Sequence, residues 1–248
     1  MQTRKVHIIV QARTNSSRMP GKIIAPLHDG KSFLEVQLNR LKKIDLPIIV
    51  ATTTNDCDDV IVERCNEIGI NCFRGSENNV LNRFIECAVS INAELIVRVC
   101  SDNPFIDIDS IEYLVKNYEQ EDYLSFAING TPSILTHYGF FAELVNIRAL
   151  KKVALSADSK CIEHVTNCIY QNPSRFQTRL IPLHVDEDLP LRCTLDTTAD
   201  WLLLQNIYQN WYLERIETDF TYIELINFLR TQPNMLRSMD KEIKNNSK

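Results

Sequence analysis

Short apolar runs alternate with amphipathic stretches through the first 120 residues. Lys5 to Gln11 (KVHIIVQ) is a continuous apolar run bounded by polar residues, as expected of a strand covered on both faces in a parallel sheet. A polar, glycine-poor loop follows, from Ala12 to Lys22. Ser32-Phe-Leu-Glu35 has the spacing of a capping box, and Leu34, Leu38 and Leu41 then recur at helical intervals up to about Ile44. The alternation continues with a strand at Ile48 to Thr53, a helix at Asp58 to Gly69 with Val60, Ile61, Cys65 and Ile68 on one face, and a short strand at Ile70 to Phe73. A helix at Asn78 to Asn92, inward with Leu81, Phe84, Ile85 and Ala88, and a strand at Leu95 to Cys100 complete the series. Four such β-then-α steps predict an α/β fold with a mostly parallel, doubly wound sheet in three layers, because parallel neighbours need a helical crossover. Ligands on these sheets collect at the carboxyl ends of the strands. Two loops leave such ends, residues 12–22 and Ser101 to Asp107.

The second half is less regular. Phe140 to Asn146 and Phe176 to Ile181 read as strands, and Cys161 to Gln171 as a helix. Arg192 to Leu195 reads as a short strand feeding a helix from about Thr198 to Tyr212. Thr221-Tyr-Ile-Glu224 caps a last helix, and the polar stretch after Pro233 is expected to fray. No repeat or low-complexity segment interrupts the chain, which predicts one domain over 1–232 and a polar tail over 233–248.

Composition narrows this picture. The 248 residues suit one large α/β domain, and 44% hydrophobic with 24% charged residues is a globular balance. The longest apolar runs are too short to span a membrane, and the first strand begins without a signal-peptide pattern, so the cytoplasm is the expected compartment. Eight cysteines with no C-x-x-C pair predict reduced thiols. A net charge of -5 argues against nucleic-acid binding, but residues 1–43 hold nine Lys/Arg against two acids while the remainder holds 18 against 30. A basic lobe facing an acidic remainder suits a small polyanion together with a cation.

The loop QARTNSSRMPGK sets Arg13, Arg18 and Lys22 among small hydroxyl residues directly after a buried strand, which makes it a candidate phosphate site. It lacks the glycine and hydroxyl positions of a P-loop. Asp102 in Ser101-Asp-Asn-Pro104 and Asp196 in RCTLDTTAD both emerge at strand ends. Two such carboxylates facing a phosphate loop form a coherent Mg²⁺ site, since Mg²⁺ takes one or two protein carboxylates and fills its shell with phosphate oxygens and water. Asp200 reads as a partner of its own helix's dipole. In Arg74-Gly-Ser-Glu77 the glycine permits close backbone approach to a planar group, and Ser76 or Glu77 either caps the next helix or bonds a base. Cys161, His164 and Cys168 share one helical face without a fourth zinc ligand and read as structural. Trp201, Tyr208 and Trp211 read as packing.

The loop resembles the A-R-x-x-S-x-R-x-P-G-K signature of the cytidylyltransferases that activate acidic sugars, the CMP-acylneuraminate and CMP-octulosonate (KDO) synthetases. RGSENNVLNRF, IVRVCSDNPFID, the E-H-V-T at Glu163 to Thr166 and TLDTTADW are closer to one branch, the spore coat polysaccharide biosynthesis protein F-like proteins. The resemblance spans about residues 6–206 and implies a nucleotidyltransferase of the glycosyltransferase-A type that uses CTP and Mg²⁺, with a nucleotide-binding half at 1–120 and an acceptor half at 121–232. It implies nucleotide contacts from Ala12, Arg13, Ser17, Arg18, Lys22, Ser76 and Glu77, catalytic roles for Arg13, Lys22 and Asp102, and metal binding by Asp102 and Asp196. Phe141, Glu143 and His164 fall where the acceptor is bound. Where the branch reads G-x-D-x-E, this chain has Gly139-Phe-Phe-Ala-Glu143, and Ile162 replaces the arginine expected before E-H-V-T. These departures predict a more apolar acceptor pocket around Phe141 and poor turnover of ordinary acidic sugars.

The implied partners are CTP and a small-molecule acceptor, for surface polysaccharide or glycoconjugate synthesis, with no nucleic acid or membrane, and a homodimer stays open. Two rival readings are a nucleotide-diphosphosugar glycosyltransferase on the same fold and a non-catalytic nucleotide-binding subunit. The early basic loop favours a free triphosphate over a diphosphosugar.

Overall fold

The first apolar run becomes β1 (Val6–Gln11), and the computed structural model, which describes residues 4–155, 159–186, 189–215 and 219–246, sets it in the middle of an eight-stranded sheet. A small hairpin, β2 (Pro26–His28) with β3 (Lys31–Ser32), leads into α1 (Phe33–Leu41), whose Ser32–Glu35 capping box forms as its spacing demands. Then come β4 (Ile48–Thr53), α2 (Asp59–Glu67), β5 (Asn71–Gly75), α3 (Val80–Ser90), β6 (Leu95–Cys100) and α4 (Ile108–Lys116). The second half adds β7 (Tyr123–Ile128), β8 (Thr131–Pro132), β9 (Glu143–Asn146), α5 (Ile147–Ala154), α6 (Ser159–Glu163), α7 (Asn167–Tyr170) and β10 (Thr178–Leu183). It closes with α8 (Thr198–Ile207), which runs on into a π-helical turn at Tyr208–Tyr212, then α9 (Tyr222–Arg230) and α10 (Pro233–Asn245).

The strands order as β10-β7-β9-β6-β1-β4-β5, with β8 beside β7. Among the described strands of this sheet, only β9 and β8 run antiparallel to their neighbours. The chain moves outward from β1 to β4 and β5 and then returns to place β6 on β1's other side, so the order reverses at the β1–β6 pair. The loops that follow these two strands diverge there and leave a crevice, the usual ligand position on such a sheet. Alternate residues of each strand enter opposite cores. Ile8 and Val10 pack with α1, α2, α4, α8, α9 and Met239 of α10, whereas Ile9 and Ile96 pack with α3, α5 and α7. Three layers result, as the pattern of apolar runs predicts.

Several expectations for the second half need correction. The strand expected from Phe140 begins only at Glu143, because the Phe140 carbonyl accepts the Asp107 N–H at 2.8 Å and so holds the loop after β6 instead of a ladder. The helix expected over Cys161 to Gln171 is two short helices joined at His164–Thr166. This break places the Cα atoms of Cys161 and Cys168 5.6 Å apart, whereas seven residues of continuous helix span about 10 Å, and the two cysteines form a disulfide rather than the expected thiols. Arg192–Leu195 is extended but joins no sheet. Its Cys193 and Leu195 N–H groups bond the carbonyls of His137 and Asp102 at 2.9 and 2.8 Å. The stretch expected to fray is α10, which opens with Pro233 in its first turn and buries Met239 against α8 and α9.

Candidate active site

A cavity of about 560 Å³ opens at the carboxyl ends of β1 and β6, bordered by the loop after each strand. A smaller one of about 380 Å³, beside Arg4, Glu94 and Arg148, lies at the amino ends of the same strands and so away from these loops.

The loop after β1 is held from below by Asp58, a buried carboxylate at the start of α2 that sequence reading takes only as a helix residue. Its Oδ1 accepts the Thr14 N–H and the Thr14 hydroxyl, both at 2.7 Å, and its Oδ2 accepts the Thr53 hydroxyl at 2.5 Å. Burial alone would raise the Asp58 pKa, but the bonds from Thr53 and Thr14 bring it below the ordinary value, so the loop is tied to the end of β4 by an ionised group. Glu77 adds a second tie. It accepts from Asn55 at 2.7 Å and Asn15 at 3.1 Å, and these two bonds hold its carboxyl below the usual glutamate range.

The loop after β6 is fixed by α1. The Gln37 amide donates to the carbonyls of Cys100 and Asn103 at 2.8 and 2.6 Å, and Arg40 Nε donates to the Ile106 carbonyl at 2.6 Å. The third wall is the extended segment 192–195. Gly139, at φ +68°, crosses it so closely that a Cβ would lie 2.7 Å from the Cys193 carbonyl oxygen, a contact only glycine tolerates. Arg192 is fully buried. It meets both Asp200 oxygens at 2.6 and 2.8 Å, and Asp200 in turn accepts the N–H groups of Asp196 and Thr197. Asp200 therefore supports the turn that presents Asp196, in the first turn of α8 where its dipole role was expected.

These supports bring the main candidates together. Lys22, only 8% exposed, donates to the Leu195 carbonyl, and its Nζ lies 3.2 Å from Asp196 Oδ1 and 3.6 Å from Asp102 Oδ2. Arg18, whose side chain is half exposed, reaches Asp196 Oδ1 at 2.8 Å, and Arg192 lies 3.5 Å from Asp196 Oδ2. Arg13 and Ser17 line the same cavity, as do Ser16 and Gln11. Cations, hydroxyl groups and two convergent carboxylates at one strand-end crevice can hold a triphosphate and a cation.

The cytidylyltransferase family pattern matches residues 7–210. The chain belongs to this family. The cytidylyltransferase is 35% identical to an uncharacterized protein of Methanocaldococcus jannaschii, covering 98% of this chain and 97% of the relative. It is 26% identical to the spore coat polysaccharide biosynthesis protein SpsF of Bacillus subtilis, covering 91% and 94%. Its fold matches the structure of a cytidylyltransferase from Leptospira borgpetersenii with a TM-score of 0.81 at 26% identity, covering 94% and 97% of the two chains. The enzyme is thus a CTP-dependent nucleotidyltransferase, and its fold is the one that the resemblance implies.

The other candidates of this cytidylyltransferase divide, and all but His164 lie outside the cavity lining. Ala12 is buried and spends its N–H on the Ala51 carbonyl at 3.3 Å. Ser76 accepts the Asn79 N–H at 3.0 Å, and neither it nor Glu77 borders the cavity. His164 does border it, together with Glu163, Thr166 and Tyr170 from the α6–α7 turn. Phe141 does not. It is 6% exposed and packs its ring 5.1 Å from Phe126 and 5.0 Å from Tyr222, in the core on the opposite side of the sheet. The apolar acceptor pocket expected around it is therefore absent from the site. Glu143 points to the cavity side but lies beneath the lining, bonded to Arg98, Tyr123 and Thr166. Sequence reading misses Arg98, Gln11 and Thr166. The one available signal is Arg98 itself, a charged residue in the middle of a buried apolar strand.

Proposed function

We propose that this cytidylyltransferase moves CMP from CTP to a small sugar, sugar acid or phosphorylated acceptor in a Mg²⁺-dependent reaction, in the cytoplasm, for a surface polysaccharide or glycoconjugate. The observation that carries the reading is the convergence of Asp102 and Asp196 on the single ammonium of Lys22, beside Arg13 and Arg18. Two carboxylates that share one cation-sized point fit Mg²⁺, which completes its shell from phosphate and water. Among the described residues no group of three or more His, Cys, Asp or Glu converges as an all-protein cage would need. When bound, the ion supplies charge neutralisation at the phosphates.

The remaining work falls to the chain's own groups. Arg18 and Ser17 anchor the triphosphate, with the N-terminal half holding the nucleotide and the C-terminal half the acceptor. The acceptor oxygen attacks the α-phosphorus, its bond forms as the bond to the bridging oxygen breaks, pyrophosphate leaves with the electron pair, and where the attacking group is a hydroxyl its proton passes to solvent. Lys22 and Arg13 offset the charge growing on the α-phosphate and the leaving group. Chemistry of this kind rests on positioning, and the buried ties of Asp58 and Asp200 supply it. The relationship to SpsF supports the polysaccharide role.

The test is pyrophosphate release with CTP, UTP, ATP and GTP, each against a panel of sugar acids and phosphorylated polyols in the presence of Mg²⁺. Release confined to CTP and to one acceptor class is expected. CTP binding without release across the panel would favour a non-catalytic nucleotide-binding subunit.

A further inference from the structure

Arg98 stands directly opposite Glu143 in the antiparallel β6–β9 pair, is 7% exposed and borders the active-site cavity. Its Nη1 donates to Glu143, its Nη2 donates to Gln11 Oε1 at 3.1 Å, and the guanidinium carbon lies 5.8 Å from the centre of the Phe84 ring. Burial opposes the charge, but the nearby Cys100 and Glu143 outweigh it and keep the guanidinium protonated. A guanidinium has five N–H groups. Two of them serve these bonds, the buried Nε has no partner among the described residues, and the other two, on Nη1 and Nη2, are the ones left for a ligand at the cavity. Glu143 is in the opposite condition. Besides Arg98 it accepts the Tyr123 hydroxyl at 2.6 Å and the Thr166 hydroxyl at 2.8 Å, and it is almost wholly buried.

The pair thus has donors to spare and an acceptor already engaged by three hydrogen bonds. Holding β6 to β9 does not require it, since two well-packed apolar residues generally serve a buried position as well or better. What the arrangement lacks is an acceptor oxygen on the cavity side, preferably a charged one, for which a planar fork of donors is well shaped. We propose that Arg98 is the acceptor-specificity residue and binds an anionic oxygen group, a carboxylate or a phosphate, that the acceptor carries apart from its attacking atom. The proposal deepens the nucleotidyl-transfer reading above and rests on it. Arg98 precedes Asp102 by four residues, the last two in a turn, so the two are closer than the roughly 13 Å of a fully extended chain, a span that a long arginine side chain and a sugar-sized acceptor bridge together. Glu143 is a positioning residue here. Held by the Tyr123 and Thr166 hydroxyls, it fixes the guanidinium plane and balances the charge while no acceptor is present.

The experiment is calorimetric titration of the full chain, saturated with Mg²⁺ and a CTP analogue whose α,β-bridging oxygen is a methylene. The probes are N-acetylneuraminate and KDO for the carboxylate, glycerol 3-phosphate for the phosphate, and N-acetylmannosamine, mannose and glycerol as neutral counterparts. At least one anion is expected to bind tenfold or more tightly than its neutral counterpart, and the arm that responds identifies which anion the site takes. Arg98→Gln should erase that preference while the affinity for the analogue stays within twofold. Because this variant leaves Glu143 as a buried charge without its cation, Arg98→Gln/Glu143→Gln repeats the test with both charges removed. Equal binding of neutral and anionic probes, no binding of any anion, or a preference that survives in both variants would overturn the assignment alone. Failure of the analogue itself to bind would overturn the nucleotidyl-transfer reading, and the Arg98 assignment with it.

Discussion

The Lys22–Asp196 cluster and the Arg98–Glu143 pair border the same cavity but differ in what holds them. Lys22 and Arg18 extend from a loop, and Arg18 is half exposed, so their partners can change without moving the backbone. Arg98 and Glu143 sit opposite one another on hydrogen-bonded strands, with Tyr123 and Thr166 closing the carboxylate side. The first cluster is arranged for charges that arrive and leave. The second is arranged for one fixed direction of approach. A site that must grip a flexible polyanion and then discriminate among small acceptors draws on both kinds of construction.

The contrast can be broken most severely at Glu143. Glu143→Ala leaves the Arg98 charge buried without its counter-ion, which typically costs about 3–5 kcal/mol, and chemical denaturation should register a loss of that size. A loss below about 1 kcal/mol would mean that the strand-held pair is as adaptable as the loop-held cluster. Next come the carboxylates. Asp102→Asn and Asp196→Asn should each lower turnover by at least ~10²-fold, equivalent to about 2.7 kcal/mol of transition-state stabilisation, with circular dichroism unchanged. Full activity in either variant would remove that residue from the metal site. The smallest and sharpest comparison lies within the loop. Lys22→Ala should depress kcat more than it raises the KM for CTP, because the ammonium lies over the point where both carboxylates converge, whereas Arg18→Ala should act mainly on KM, by about tenfold. A reversed pattern in steady-state kinetics would exchange their roles.

Legibility in the sequence follows the same division. Strands β4 and β6 lie at the bounds their apolar runs indicate, and the capping boxes at Ser32 and Thr221 form as spaced. Local pattern sufficed there because a continuous apolar run marks a strand covered on both faces whichever strands it pairs with, and a capping box is closed by residues three apart. The second half depends on long-range bonds that no local pattern records. β7, with the polar Ser125 in its middle, gave no clear apolar run, and α5 begins directly after β9 on the Asn146 cap with no turn between them. Segment 192–195 has the apolar character of a strand, yet its bonds go to His137 and Asp102 instead of a ladder. The loop cations and the two aspartates were singled out because they stand at strand ends, and the fold brings Lys22, Arg18, Asp102 and Asp196 together there. Phe141 was assigned from the resemblance at Gly139–Glu143, and the loop that precedes β9 turns its ring into the core on the other side of the sheet from the cavity. Arg98 was overlooked because it lies inside the run that identifies its strand.

The position of the Lys22 ammonium between Asp102 and Asp196 also bears on how ligands enter. In the proposed site the resting protein already contains its own substitute for each guest. Lysine and arginine cations stand in for a metal ion toward the carboxylates, and the carboxylates stand in for phosphate toward the cations. Filling the site is then an exchange of partners rather than the insertion of charge into an empty field. A divalent cation arriving alone has to compete with Lys22 and Arg18, and a triphosphate arriving alone has to draw them from their carboxylates. Arriving together, each releases what the other needs, so their binding is linked, and the affinity of either measured alone understates its affinity in the other's company.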